Sequence, residues 1–149
     1  MPVQQAKDLT KEFPRSPYDE LEGFPWLPRL IDKVRALDAG QIGEYTPYPC
    51  GGDKGFIAHF GLDADALKAK ISGGATDAEV AAWVSGQVGP EQEAKKQSYR
   101  AAARQPVQPP MSDYLEGAKA ELKAQRPELD LSDVDNFARL ICKEEGYAY

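Results

Sequence analysis

This sequence has little of what most metal, redox and membrane chemistry needs. Histidine occurs once, at His59, so a histidine metal site has no second histidine to share it, and no HExxH spacing exists. Cysteine occurs twice, at Cys50 and Cys142, too far apart for a CxxC redox motif or a zinc ribbon. Two unpaired thiols in a reducing cytosol are the expectation. No stretch approaches the roughly 18 consecutive apolar residues of a membrane span. Met1–Thr10 lacks the apolar core of a signal peptide, so the expected location is the cytoplasm. Positive charge is in deficit: 18 Lys and Arg against 24 Asp and Glu give a formal net charge of −6, which argues against general nucleic-acid binding but leaves room for a small basic site. Neither Ser16 nor Ser98 sits in a GxSxG nucleophile context.

What the chain does have is helix punctuation. In Trp26–Ala36, continued to Leu37, the residues Leu27, Leu30, Ile31, Val34 and Leu37 recur at helical spacing and fall on one face. Pro28 suits a first turn and Gly40 a left-handed C-terminal cap. Before this helix, Pro2, Pro14, Pro17 and Pro25 forbid a long helix and suggest an extended arm anchored by Leu21, Phe24 and Trp26. After it, residues 40–52 read as a long ordered loop with a short extended piece at Ile42–Tyr45. Further helices are expected from Asp53 to Gly61, over Ala64–Ile71 behind an Asp63 cap, and after the capping box Thr76–Glu79, with Val80, Trp83 and Val84 inward. Residues 90–104 are Ala-, Gln-, Lys- and Glu-rich, with a thin apolar face of Ala94, Ala101 and Tyr99, so that helix is either solvated or a partner surface. A stiff proline-rich linker, 105–111, leads to a C-terminal helical hairpin, 112–149, whose second helix starts at Ser132–Asp133. The fold class this implies is all-α: a compact helical core, 1–104, with an N-terminal arm and a C-terminal hairpin.

The chemistry worth weighing lies opposite the apolar stripe of the first helix. Arg29 and Lys33 stand four residues apart with like charge, which is unfavourable unless an anion or a counter-charge lies near. Asp32 can pair with Arg29 or Arg35, and Arg15 can fold back from the arm to add a second guanidinium fork. The two readings are an anion site made by Arg15, Arg29, Lys33 and Arg35, with Asp32 and Tyr45 beside it, or a solvated or salt-bridged face. Gly51–Gly55 looks like a phosphate cradle but lacks the Walker A order, and a turn ending in an Asp53 cap explains it better. His59 and Glu44 are the candidate proton carriers; a buried or half-buried structural role suits His59 better. The acidic pairs Glu20/Glu22 and Glu144/Glu145 read as solubility charge.

Arg15-Ser16-Pro17, Leu27-Pro28-Arg29-Leu30-Ile31-Asp32-Lys33-Val34-Arg35-Ala36, Gly43-Glu44-Tyr45, Asp53, Phe56 and Phe60-Gly61 together resemble the bacterial domain-of-unknown-function family 5069. The resemblance covers residues 8–85 well and the remainder faintly. It implies a small soluble domain and carries over no activity, cofactor or catalytic residue. The functional expectation is therefore a non-enzymatic module that binds an anionic small molecule or an acidic partner group through the cation cluster. A small enzyme using the same cluster, or a structural interaction domain presenting helix 90–104, are the alternatives.

Overall fold

The apolar stripe around Leu30 forms helix α1, Leu27–Asp38, in which Leu27, Leu30, Ile31 and Val34 are fully buried while Leu37 is half-buried. Pro28 lies in its first turn, and the helix ends at Ala39 with Gly40 beyond it at φ 70°, the left-handed geometry that favours glycine. The computed structural model describes residues 6–149, in two compact units, Met1–Tyr99 and Arg100–Tyr149. Met1–Gln5, half of the Met1–Thr10 segment that lacks the apolar core of a signal peptide, lie outside the described residues.

The chain is mostly helical. In the first unit the arm contains a two-residue antiparallel ladder, β1 (Glu20–Leu21) paired with β2 (Phe24–Pro25), which no period-2 alternation announced. Gly23 turns it at φ 81°. Ile42–Tyr45 forms turns, not a strand. Helix α2, Gly51–Phe60, starts two residues before Asp53: Cys50 is the N-cap and Asp53 occupies the third helical position, where its carboxylate accepts the Cys50 N–H at 3.0 Å. Helix α3, Ala64–Ser72, is capped by Asp63, which accepts the Ala66 N–H at 2.8 Å. Helix α4, Asp77–Val88, begins at the capping box of Thr76 and Glu79. It buries Val80, Ala81 and Val84, with Trp83 only half-buried. A 3₁₀ turn, Gly89–Glu91, leads into helix α5, Gln92–Ala102. Ala94 and Ala101, the expected apolar face, are exposed, and the one buried residue of α5 is Lys96.

The core of this unit is the α1 stripe together with Phe24, Phe56, Phe60, Leu67, Ile71, Val80 and Val84, all nearly inaccessible. Phe60 packs edge-on to Phe24 at 5.2 Å between centroids and stacks on Tyr99 at 5.7 Å. Burial pushes the Tyr99 hydroxyl pKa well up, and the Asp53 charge adds to it.

The second unit contains α6 (Met111–Gln125) and α7 (Phe137–Glu145), packed through Leu115, Leu122, Leu131, Val134 and Leu140. Helix α7 starts at Phe137, not at Ser132–Asp133. Ser132 is held in a turn by Asp130, and Asn136 is the N-cap, accepting the Arg139 N–H at 2.8 Å. The Asn136 amide also donates to the carbonyls of Ala103 and Gln105, and Val107 N–H to that of Asp135, so the proline-rich stretch is tied into this unit. Among the described residues no helix is long and apolar enough to cross a membrane.

Candidate functional site

Two ion-pair networks occupy the polar side of α1. In the first, Arg15 folds back from the arm, as the arm's proline spacing allows, and grips Asp32 with two N–H groups at 3.1 and 3.0 Å; its backbone N–H adds a third bond at 2.8 Å. Its remaining terminal nitrogen donates to Asp77 Oδ2 at 2.9 Å, and Arg35 donates to Asp77 Oδ1 at 2.8 Å and to the Ala75 carbonyl at 3.0 Å. Asp32 thus pairs with Arg15 of the arm, and Arg35 with Asp77 at the start of α4. Neither makes the spacing-three pair within α1 that their positions allow. Forks of this kind are strong because both guanidinium N–H groups and both carboxylate oxygens are used at once. Burial opposes the charge on Arg15, yet its hydrogen bonds to Asp32 and Asp77 outweigh that and hold its pKa above the ordinary value. Burial likewise opposes the Asp77 carboxylate, and the two arginines outweigh it, holding Asp77 below the usual carboxylate range.

In the second network Lys33, a buried residue, donates to Cys50 Sγ at 2.9 Å and to Asp53 Oδ2 at 3.4 Å. Asp53, with no exposure at all, also accepts the Trp26 indole N–H at 2.8 Å. Trp26 has φ 73°, a strained value for a bulky residue, and its ring lies across Gly52, where a Cβ would come within 2.3 Å of it. The glycine of the supposed phosphate cradle therefore makes room for a tryptophan. Arg29, also buried, donates to the Arg15 carbonyl at 3.2 Å, with its guanidinium carbon 5.7 Å from the ring centroids of both Trp26 and Tyr45. The structure thus brings Arg15, Asp32, Arg29 and Tyr45 together, links Arg35 through Asp77, and holds Lys33 in a separate cluster.

The candidate proton carriers lie elsewhere. His59 Nε2 meets the Lys95 carbonyl at 2.9 Å and Ser98 Oγ at 3.0 Å, and its ring packs edge-on to Phe60 and Tyr99. Those partners fasten α2 to α5. Glu44 is exposed in the loop after α1. Among the described residues no group of three or more His, Cys, Asp or Glu side chains could hold a metal ion.

One cleft in the first unit holds a cation from α5, a helix whose sequence reads as solvated or as a partner surface. A cavity of about 260 Å³ opens between the arm, α4 and α5, with Phe24 and Ala81 as its apolar wall and Glu22, Ser85, Gln92 and Lys96 as polar lining. The hydroxyl of Ser85 donates to Gln92 Oε1 at 2.8 Å, and the Gln92 amide donates to the Gly89 carbonyl at 3.2 Å, so both are engaged locally. Lys96 is only 5% exposed; its Nζ lies 4.4 Å above the Phe24 ring and donates to Glu93 Oε1 at 3.1 Å, whose own side chain is 74% exposed. An ammonium carries three N–H donors. Among the described residues Glu93 is the one hydrogen-bond acceptor Lys96 has, which leaves donors for a bound acceptor. Nothing local in the Gln92–Ala102 segment marks Lys96 as buried, because the ring that covers it comes from Phe24.

No curated protein sequence matches the chain. A family model does, over residues 11–146, so the match continues beyond the residue 8–85 stretch that carries the motifs, and the chain belongs to that family, described as a domain of unknown function, DUF5069.

Proposed function

We propose that the first unit is a non-enzymatic module that binds a small anionic molecule in the cleft lined by Lys96. The observation that carries this reading is a nearly buried ammonium with donors to spare, at the wall of a cavity in which Ser85 and Gln92 are already bonded to one another. Pockets of this kind are apolar with a few placed polar groups that fix orientation. Phe24 and Ala81 suit a short hydrocarbon tail, and Glu22 on the same lining disfavours a second negative charge. A short aliphatic monocarboxylate fits these terms better than a nucleotide. Titration calorimetry with a panel of such acids tests it. Binding by the unsubstituted chain, lost in Lys96→Met and kept in Arg29→Ala, supports the assignment, and equal affinity in Lys96→Met sinks it.

A second reading keeps the arginines, supported by Arg15. Its side chain remains 28% exposed, and its bonds to Asp32 and Asp77 use three of its five guanidinium N–H groups. An acidic group of a partner protein suits the remaining two, with Arg29, Arg35 and Tyr45 as support and Lys33 apart in its pair with Asp53. The enzymatic reading needs His59 within reach of the arginines, whereas its hydrogen bonds go to α5. Net negative charge disfavours nucleic acid as a partner. The two free thiols suit the cytoplasm, the location we infer.

A further inference from the structure

We propose that Cys50 and Lys33 are a redox pair that closes a covalent Nζ–O–Sγ bridge when dioxygen reaches the thiol. Nζ and Sγ are 2.9 Å apart. That is the spacing usual between an N–H donor and oxygen, about 2.7–3.2 Å, although sulfur is the larger atom. It is too long for a direct nitrogen–sulfur bond and right for one atom in between.

Both groups are held at this spacing from independent sides. Lys33 projects from the interior of α1 and is 3% exposed. Cys50 is fixed as the N-cap of α2 by its backbone bond to Asp53. Cys50 is half-buried, so a small oxidant reaches it, whereas Cys142 has no exposure. Asp53 supplies the base: Oδ2 lies 3.4 Å from Nζ and takes the proton that frees the lysine lone pair. The Trp26 indole N–H and the Cys50 N–H, both bonded to that carboxylate, keep it in position.

The step balances with dioxygen as oxidant. Nζ loses one N–H bond, Sγ loses its S–H bond, and one oxygen atom forms new bonds to both. The second oxygen atom leaves as water with those two hydrogens. Nitrogen and sulfur each give up two electrons, and dioxygen takes all four. Two equivalents of a dithiol return the amine, the thiol and water. The bridge ties α1 to the start of α2 and closes the loop 33–50, so oxidised protein unfolds at a higher temperature than reduced protein.

Intact-mass spectrometry of the Cys142→Ser chain, in which no internal disulfide can form, tests the proposal. After exposure to air the expected species is heavier than the reduced chain by one oxygen less two hydrogens, and it returns to the reduced mass with dithiothreitol. Trypsin does not cut after Lys33 in that species, and the peptide carrying Lys33 is joined to the one carrying Cys50. The species is absent in Cys50→Ser and in Lys33→Arg, which keeps a cation against Asp53. Should Cys142→Ser not fold, the same peptide map on the unsubstituted chain gives the answer. An aerated chain at its reduced mass, oxygen gained on Cys50 alone, or loss of two hydrogens with no oxygen gained would each overturn the proposal.

Discussion

Replacing Asp53 with asparagine removes one negative charge from the most enclosed point of the first unit. The substitution keeps the side chain's volume and one acceptor oxygen, enough for the Trp26 indole or the Cys50 N–H but not for both and Lys33 as well. The ammonium of Lys33, whose side chain is 4% exposed, then has no counter-charge. Breaking a buried pair by removing one partner costs about 3–5 kcal/mol. Lys33→Met is milder, because Asp53 retains two N–H donors; a loss of about 1–3 kcal/mol is expected from the desolvated carboxylate. In Asp53→Asn/Lys33→Met no charge is stranded, so the combined loss falls short of the sum by a coupling of about 1–3 kcal/mol. Urea unfolding followed by tryptophan fluorescence reads the right unit, since Trp26 and Trp83 both belong to it. With a slope of about 2 kcal/mol per molar urea, Asp53→Asn lowers the midpoint by about 1.5 M or more. A loss under about 1 kcal/mol, or additive single and double variants, would refute the claim that this pair is buried and mutually dependent.

Gly52→Ala forces a Cβ into the Trp26 ring, and overpacking of this kind costs about 1–3 kcal/mol, measurable in the same urea experiment. Acid stability depends on Asp77: its pKa is held below the usual range in the folded chain, so its contribution is complete above about pH 4, the unfolded value, and is lost as pH falls through the lower folded value. Asp77→Asn therefore lowers stability at neutral pH and flattens the acid limb of the stability curve; an unchanged acid limb contradicts the Arg15–Asp77–Arg35 network. In the second unit, Asn136→Ala removes the α7 cap and the bonds to Ala103 and Gln105, for a loss of about 1–2 kcal/mol seen as a lower thermal midpoint by circular dichroism.

Local signals carried the helices, and long-range ones decided the site. Asp63 and Thr76 could be read as caps because each bonds to a backbone N–H three residues on. The start of α2 was misread because cysteine is an unusual cap and Asp53 serves from inside the first turn. The start of α7 was misread because Ser132–Asp133 resembles a cap while its bonds go back to Asp130. The like-charge pair Arg29 and Lys33 asks only for something anionic nearby; the carboxylate beside Lys33 is Asp53, twenty residues on. The partner of Arg35 is forty-two residues away. No helical spacing encodes such pairs. The burial of Lys96 depends on Phe24, in an arm that its prolines had marked only as extended.

Under the proposed function, Lys96 in its cleft, and not the cation cluster of α1, is the cation that receives a small anion. An electron-density map of crystals soaked in a short aliphatic monocarboxylate tests it most directly. The predicted result is a carboxylate within hydrogen-bond distance of Lys96 Nζ, with its tail against Phe24. A carboxylate bound to Arg15 or Arg29 while the cleft stays empty would contradict it.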